Sequence, residues 1–237
     1  MACRLSPLFI CSFIWLFYSS QLYGGGLQVT PVTLTFNPQQ NSAGIWLSNN
    51  GKEPIQAQVR TFLWYQKNSS NELVATRDII ISPPMIKLNP NEQQLVRVIR
   101  NNNIMGSEEL AYRLSINELP TGQNSSNKLQ FVLHYSLPIF VQPLNMSSTT
   151  VFLEWQLIKH PSKNTLIVHN NGNSHAQLSN IHFIDCKGKH TIINSGLLGY
   201  VLPRSTMQWE VTLPEVCSKP NNTIKALING EQQTYPI

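Results

Sequence analysis

Leu129-Gln130-Phe131-Val132-Leu133-His134-Tyr135-Ser136-Leu137-Pro138-Ile139-Phe140-Val141 is the stretch on which the reading of this chain turns. At the two-residue period of a strand, Leu129, Phe131, Leu133, Tyr135 and Leu137 share one face. Gln130, His134 and Ser136 lie on the other, together with Val132 and Pro138. Proline has no N–H to give to a ladder, so Pro138 argues for a sheet edge, at least at that end. A long apolar edge is an open template that proteins avoid leaving uncovered. Two readings follow. Either the odd-numbered face packs into the strand's own sandwich core, or it is held for a partner that completes the sheet by strand addition.

Outward from this strand the pattern stays β. Short runs rich in Val, Ile, Leu, Thr, Phe and Trp (VTPVTLTF, GIWLSNN, IQAQVRTFLWYQ, QLVRVIR, AYRLSINEL) alternate with Asn, Gly, Pro and Ser. No segment sustains a helical period, and strands at this spacing indicate a sandwich or barrel. Breaks such as Asn49-Asn50-Gly51 suit turns, because Asn tolerates left-handed backbone. A junction is expected over Pro143–Ser148, where the long strand stops. About seven runs precede it, the usual count for an immunoglobulin-like sandwich. FLEWQLIKH, NTLIVHNN, QLSNIHFIDC, YVLPRSTMQWEVTL and TIKALING follow and would fill a second β domain.

Residues 1–26 differ: one early charge, Arg4, then an apolar run from Leu8 to Phe17, then Gly24-Gly25-Gly26. That is the plan of a secretory signal peptide, and the run is shorter than the ~20 residues needed to cross a bilayer. The expected organisation is a signal peptide over 1–26, an N-terminal domain over 27–144 and a C-terminal domain over 145–237, exported and without stable membrane insertion. Cys3 and Cys11 leave with the signal, so Cys186 and Cys217 are expected to form one disulfide in an oxidising compartment. Closing a loop of about thirty residues contributes roughly 3–4 kcal/mol in the chain-entropy model. A metal site using Cys186 and His190 is the competing reading, but it lacks a second close ligand pair.

Composition narrows the function. Charged residues make up 12% of the 237 and hydrophobic ones 41%, against a usual charged share of ~25%. Disordered, collagen-like and coiled-coil classes are excluded. The net charge of +5 comes from 17 basic and 12 acidic residues, and the basic ones stand singly instead of forming the stripe of a nucleic-acid binder. Nucleophile-elbow, zinc-protease, P-loop and dinucleotide motifs are absent from the sequence. The reading is therefore a non-enzyme without metal or cofactor.

The residues around the opening strand carry a resemblance. Pro83-Pro84-Met85-Ile86-Lys87-Leu88-Asn89-Pro90, followed by Gln94-Leu95-Val96-Arg97-Val98, resembles the P-P-x-x-x-L-x-P…x-x-V-R signature of periplasmic pilus-assembly chaperones. Tyr112-Arg113-Leu114-Ser115-Ile116-Asn117-Glu118-Leu119-Pro120 is similar to that family's Y-x-L-x-x-x-E-[IL]-P element. Tyr200-Val201-Leu202-Pro203 with Met207-Gln208-Trp209 is similar to its L-P-x-x-x-x-x-[FW] element. With the opening strand, four motifs stand in register over nearly the whole mature chain.

The resemblance implies an all-β fold of two immunoglobulin-like β-sandwich domains in a boomerang. Its partners would be pilus subunits and an outer-membrane usher. It implies that Leu129, Phe131, Leu133, Tyr135 and Leu137 form a donor strand that fills the groove of an incomplete subunit. The better-known branch anchors the subunit's terminal carboxylate with an Arg and a Lys, but Thr33 and Pro138 stand at those positions here. The P-[IV]-F-V-x-P ending and Val59-Arg60-Thr61-Phe62-Leu63-Trp64 look more like the archaic branch. Arg97 is the expected anchor, assisted by the Thr33 hydroxyl, with Arg100 and Arg113 as substitutes; a structural salt bridge or surface role is the alternative for Arg97. Self-association of the free form is a further expectation from an open edge. The rival class, an exported two-domain Ig-like adhesin or carbohydrate-binding module, needs an exposed aromatic patch that the tryptophan positions do not suggest. A pilus subunit is the other rival, and a second domain argues against it.

Overall fold

A computed structural model describes residues 26–101, 106–120, 131–143, 145, 148–159, 163–213 and 222–237. The expected signal peptide, apart from Gly26, therefore lies outside the described residues, as do Leu129, Cys217 and part of the expected junction. Among the described residues the chain is all β, with seventeen strands in four sheets.

The first sandwich has two facing sheets. One runs, in spatial order, β1 (Leu27–Thr30), β3 (Ser42–Asn49), β8 (Gln93–Arg100) and β6 (Ile79–Ser82). The other runs β2 (Leu34–Phe36), β10 (His134–Val141), β9 (Leu110–Leu119), β4 (Ile55–Lys67) and β5 (Ser70–Ala75), with β7 (Met85–Leu88) also on β4. Alternation explains the packing. Ile45 and Leu47 on β3, Val96 and Val98 on β8, Tyr112, Leu114 and Ile116 on β9, and Ile139 and Val141 on β10 all enter one core. The second sandwich pairs β11 (Leu153–Ile158), β12 (Asn164–Asn170) and β15 (Thr206–Val211) against β14 (His190–Val201), β13 (Ala176–Ile184), β16 (Thr223–Ile228) and β17 (Glu231–Pro236). Its core is separate and is built on Leu166, Val168, Leu178, Phe183, Val201 and Ile224. Cys186, just after β13, is disulfide-bonded and is thus not a free thiolate for a metal.

Each sandwich is tied by the same polar knot. Asn49 ends β3 fully buried, and its amide donates to the carbonyls of Glu53 and Leu88 while its Oδ1 accepts from Gly51 N–H. Asn170 ends β12 in the same way, donating to the carbonyls of Ser174 and Val201 and accepting from Gly172 N–H. A buried amide whose bonds are met fixes the turn that follows it without a desolvation penalty. Asn49-Asn50-Gly51, read as a turn in the sequence, and its counterpart Asn170-Asn171-Gly172 are therefore buried pins at one end and turns at the other.

Tyr112 is fully buried in the first core, and its hydroxyl donates to Asp78 over 3.3 Å. Burial, then the neighbouring Asp78 charge and hydrogen bond, raise its pKa well above the ordinary value of ~10. Above that value the unfolded chain loses a proton that the folded chain keeps, so the stability linked to Tyr112 is complete below pH ~10 and falls as pH rises further. Urea midpoints should hold steady up to pH ~10 and then drop, and a Tyr112→Phe variant should show a shallower drop. Equal slopes in the two proteins would remove Tyr112 as the cause.

Candidate strand-donating edge and anion cleft

The strand β10 is paired on both sides for only part of its length. Its full run from His134 to Val141 pairs antiparallel with β9. Ile139, Phe140 and Val141 also pair parallel with Leu34, Thr35 and Phe36 of β2. From His134 to Pro138 the second side carries no partner among the described residues. Pro138 thus sits where the open half meets the closed half, which places the edge on the N-terminal side of the proline.

The expected donor residues divide along this line. Leu137 is buried in the sandwich core, and Tyr135 packs half-buried against it with its hydroxyl donating to the Leu27 carbonyl over 2.6 Å. Phe131 and Leu133 continue the same parity beyond the core, 78% and 39% exposed, with Val132 at 49% between them. Regular strand begins at His134, so the expected extended run is shorter in the free chain than its alternation suggests. The reason is ladder support: β9 ends at Leu119, and the last paired residues are His134 and Asn117. Past them, Leu133 is held by its carbonyl accepting from Glu118 N–H and its N–H donating to the Glu118 carboxylate over 3.1 Å. Leu129 lies outside the described residues.

The outer face of the same sheet carries the opposite parity. Trp64 on β4, Ala111 on β9 and Phe140 on β10 point away from the first core and join Tyr200 and Leu202 of the second sandwich in a third apolar cluster. Phe140 stacks on His175 with ring centroids 3.4 Å apart, and Trp64 meets Tyr200 edge-on at 5.5 Å. Buried Glu109 accepts from His175 N–H at 3.1 Å, lies 2.6 Å from that residue's Nδ1, and accepts from the Ser174 hydroxyl. Gln66 donates to the Tyr200 carbonyl and accepts from Leu202 N–H. The β4–β5 hairpin turns at Asn68 and Ser69, both left-handed with φ of 52° and 58°, and Ser69 bridges to Met207. The two sandwiches are thereby fixed against each other around a cleft of about 430 Å³.

Thr33, Arg113, Ser136 and Pro138 line that cleft from the first sandwich, and Leu197 and Tyr200 line it from the second. Arg113 lies 3.7 Å over the Trp64 ring and 5.4 Å from that of Tyr200. Among the described residues it makes one hydrogen bond, a long one of 3.5 Å to the Ser136 carbonyl. No carboxylate lies within salt-bridge distance of it among the described residues. Burial lowers its pKa from the ordinary value, with Tyr200 acting the other way, yet a guanidinium stays cationic in a protein. A half-buried cation with aromatic faces and no carboxylate partner among the described residues has the chemistry to take an anion.

Arg97, the expected anchor, is not in this cleft. It alternates with buried Val96 and Val98 on β8, so it faces solvent on the far side of the other sheet, opposite Gly44 and Ser82. Thr33 lines the cleft, but the expected pairing with Arg97 is corrected by this parity. Arg100 is buried and bonds the carbonyls of Pro38 and Gln142. Of the three arginines weighed in the sequence, Arg113 alone shares the cleft with Thr33. Its signal was present: Tyr112, Leu114 and Ile116 alternate as core residues, which turns Arg113 to the other face.

The family model for pili and flagellar-assembly chaperones, PapD N-terminal domain, matches residues 26–147. This chain belongs to that family. The family is one of chaperones, not of enzymes. The uncharacterized fimbrial chaperone YqiH of Escherichia coli is 26% identical over 52% of the chain and 49% of its own length. The chaperone protein SefB of Salmonella enteritidis is 20% identical over 66% and 65%. The chain thus spans about half to two thirds of these curated relatives. In fold it is similar to the CsuC–CsuE complex of chaperone and tip adhesion subunit, from the archaic chaperone-usher Csu pili of Acinetobacter baumannii. That likeness has a TM-score of 0.70 and 23% identity, over 88% of this chain and 96% of that one.

Proposed function

We propose that this chain is a periplasmic chaperone that binds, folds and caps pilus subunits by lending them a strand, and delivers them to an outer-membrane usher. The observation that carries the reading is the half-open edge of β10, continued by the exposed apolar residues Phe131 and Leu133. A subunit lacking one strand would pair its backbone along this edge and take the odd-numbered side chains into its groove. Chaperone–pilin donor-strand complementation is an established form of such strand addition. Family membership supports the class of function, the likeness to CsuC supports the archaic branch, and the apolar run after Arg4 supports export.

The cleft completes the site. The terminal carboxylate of the subunit would sit on Arg113, with the Thr33 hydroxyl beside it, while the donor residues enter the subunit's groove. Charge fixes one end of the strand, and side-chain alternation then sets the register, since a slip of one residue would turn the wrong face inward.

Co-expression of the tagged chain with candidate pilus subunits of the same organism tests the reading. The expected result is an equimolar chaperone–subunit complex in the periplasmic fraction, with the subunit degraded or aggregated when the chaperone is absent. A folded chaperone that recovers none of these subunits would overturn it.

A further inference from the structure

The cleft around Arg113 has apolar walls that an anion alone does not use. Val32, in the loop before β2, is 63% exposed, and Leu197, on β14, is 55% exposed. Both are large apolar side chains standing in water, one from each sandwich, and both line the cleft that holds Arg113. Leu197 is set in an irregular part of its ladder: the register of β13 with β14 shifts on either side of the Ser179–Leu197 pair. Irregularities of this kind re-aim side chains and recur beside functional sites. Two of the polar groups nearby are engaged with their neighbours in the cleft wall, Gln177 donating to the Tyr200 hydroxyl over 2.9 Å and Trp64 to Asn71 over 2.9 Å.

We propose that the cleft reads the terminal residue of its partner, accepting a free carboxylate on Arg113 and an apolar side chain between Val32 and Leu197. This rests on the carboxylate-anchor reading given above and adds a preference that the anchor by itself does not supply. The second sandwich then takes part in choosing the partner as well as bracing the first. Charge complementarity limits the occupant to an acid, because no carboxylate is within salt-bridge reach of Arg113 among the described residues. The two exposed apolar side chains favour a terminal residue such as Leu over Ser or Asp.

The probes are the tripeptides Gly-Gly-Leu, Gly-Gly-Ser and Gly-Gly-Asp with free carboxylates, and Gly-Gly-Leu amide. The readout is the indole N–H resonance of Trp64, assigned by comparison with Trp64→Phe. Gly-Gly-Leu should bind roughly tenfold more tightly than Gly-Gly-Ser, the scale expected for an apolar side chain in a small pocket. Gly-Gly-Asp and the amide should bind more weakly still. A Val32→Ser, Leu197→Ser double variant, altered only at exposed positions, should keep its spectral dispersion. It should bind Gly-Gly-Leu no better than Gly-Gly-Ser. Equal affinities for Leu and Ser peptides in the unaltered chain, with the carboxylate still required, would overturn this inference and leave the anchor standing. Equal binding of acid and amide, or no shift with any peptide, would remove the anchor and the inference together.

Discussion

A Phe131→Asp variant should lose a co-expressed pilus subunit while remaining as soluble and as stable as the unaltered chain. The two halves of that result come from one observation. Phe131 is 78% exposed in the free chain, and substitutions at such positions usually change stability by no more than about 0.5 kcal/mol. In the proposed complex the same ring lies in the subunit's groove. Burying it contributes roughly 1.5–3 kcal/mol, and forcing a carboxylate into that groove adds a penalty of comparable size or larger. A combined loss of about 4 kcal/mol weakens binding roughly a thousandfold. Leu137→Asp supplies the contrast: Leu137 is part of the first core, so this variant should fail by unfolding. Periplasmic pull-down with circular dichroism separates the two failures. Subunit recovered with Phe131→Asp at the unaltered yield would refute the donor assignment.

That contrast also marks what the sequence could and could not reveal. The alternation from Leu129 to Val141 identifies a face, and the face is real: Leu137, Ile139 and Val141 enter one core. Alternation does not say where that core ends. Of the two readings open in the sequence, own core or partner's core, the first holds from Leu137 onward, while Phe131 and Leu133 stand outside that core, and the dividing point is set by neighbours distant in sequence. β9 stops at Leu119, and β2 reaches β10 only from Ile139 onward. Neither limit can be inferred from the strand itself.

The arginines illustrate a different limit. Arg97 stands in a motif with a recognisable spacing, which made it the expected anchor, yet its parity sends it to the solvent face of β8. Parity along β9 turns Arg113 away from Tyr112 and Leu114, a signal available without coordinates. Missing from the sequence was the way the second sandwich docks on the first. Only its docking through Phe140, Trp64 and Tyr200 converts an outward-facing sheet surface into a cleft. The pinning roles of Asn49 and Asn170 were hidden for the same reason, since Asn-Asn-Gly reads as a turn and the distant acceptors, the Leu88 and Val201 carbonyls, are set by topology.

An Arg113→Ala variant should release the subunit nearly as completely as the change at Phe131, but by another route. Removing one member of a desolvated charge pair leaves the other buried and alone, at a cost of about 2–5 kcal/mol, or roughly thirtyfold to several thousandfold in affinity. In the free chain the same change should be mild. Arg113 has only a 3.5 Å hydrogen bond to the Ser136 carbonyl and stacks on Trp64, and burial already disfavours its charge. Arg113→Lys should fall between, because an ammonium keeps the charge but loses the planar fork and the aromatic stacking. Arg97→Ala should bind subunit normally. Titrating a purified subunit, transferred from its complex with the unaltered chaperone to each variant, orders all three. Normal transfer to Arg113→Ala with failure at Arg97→Ala would return the anchor to β8 and leave the cleft without a carboxylate to hold.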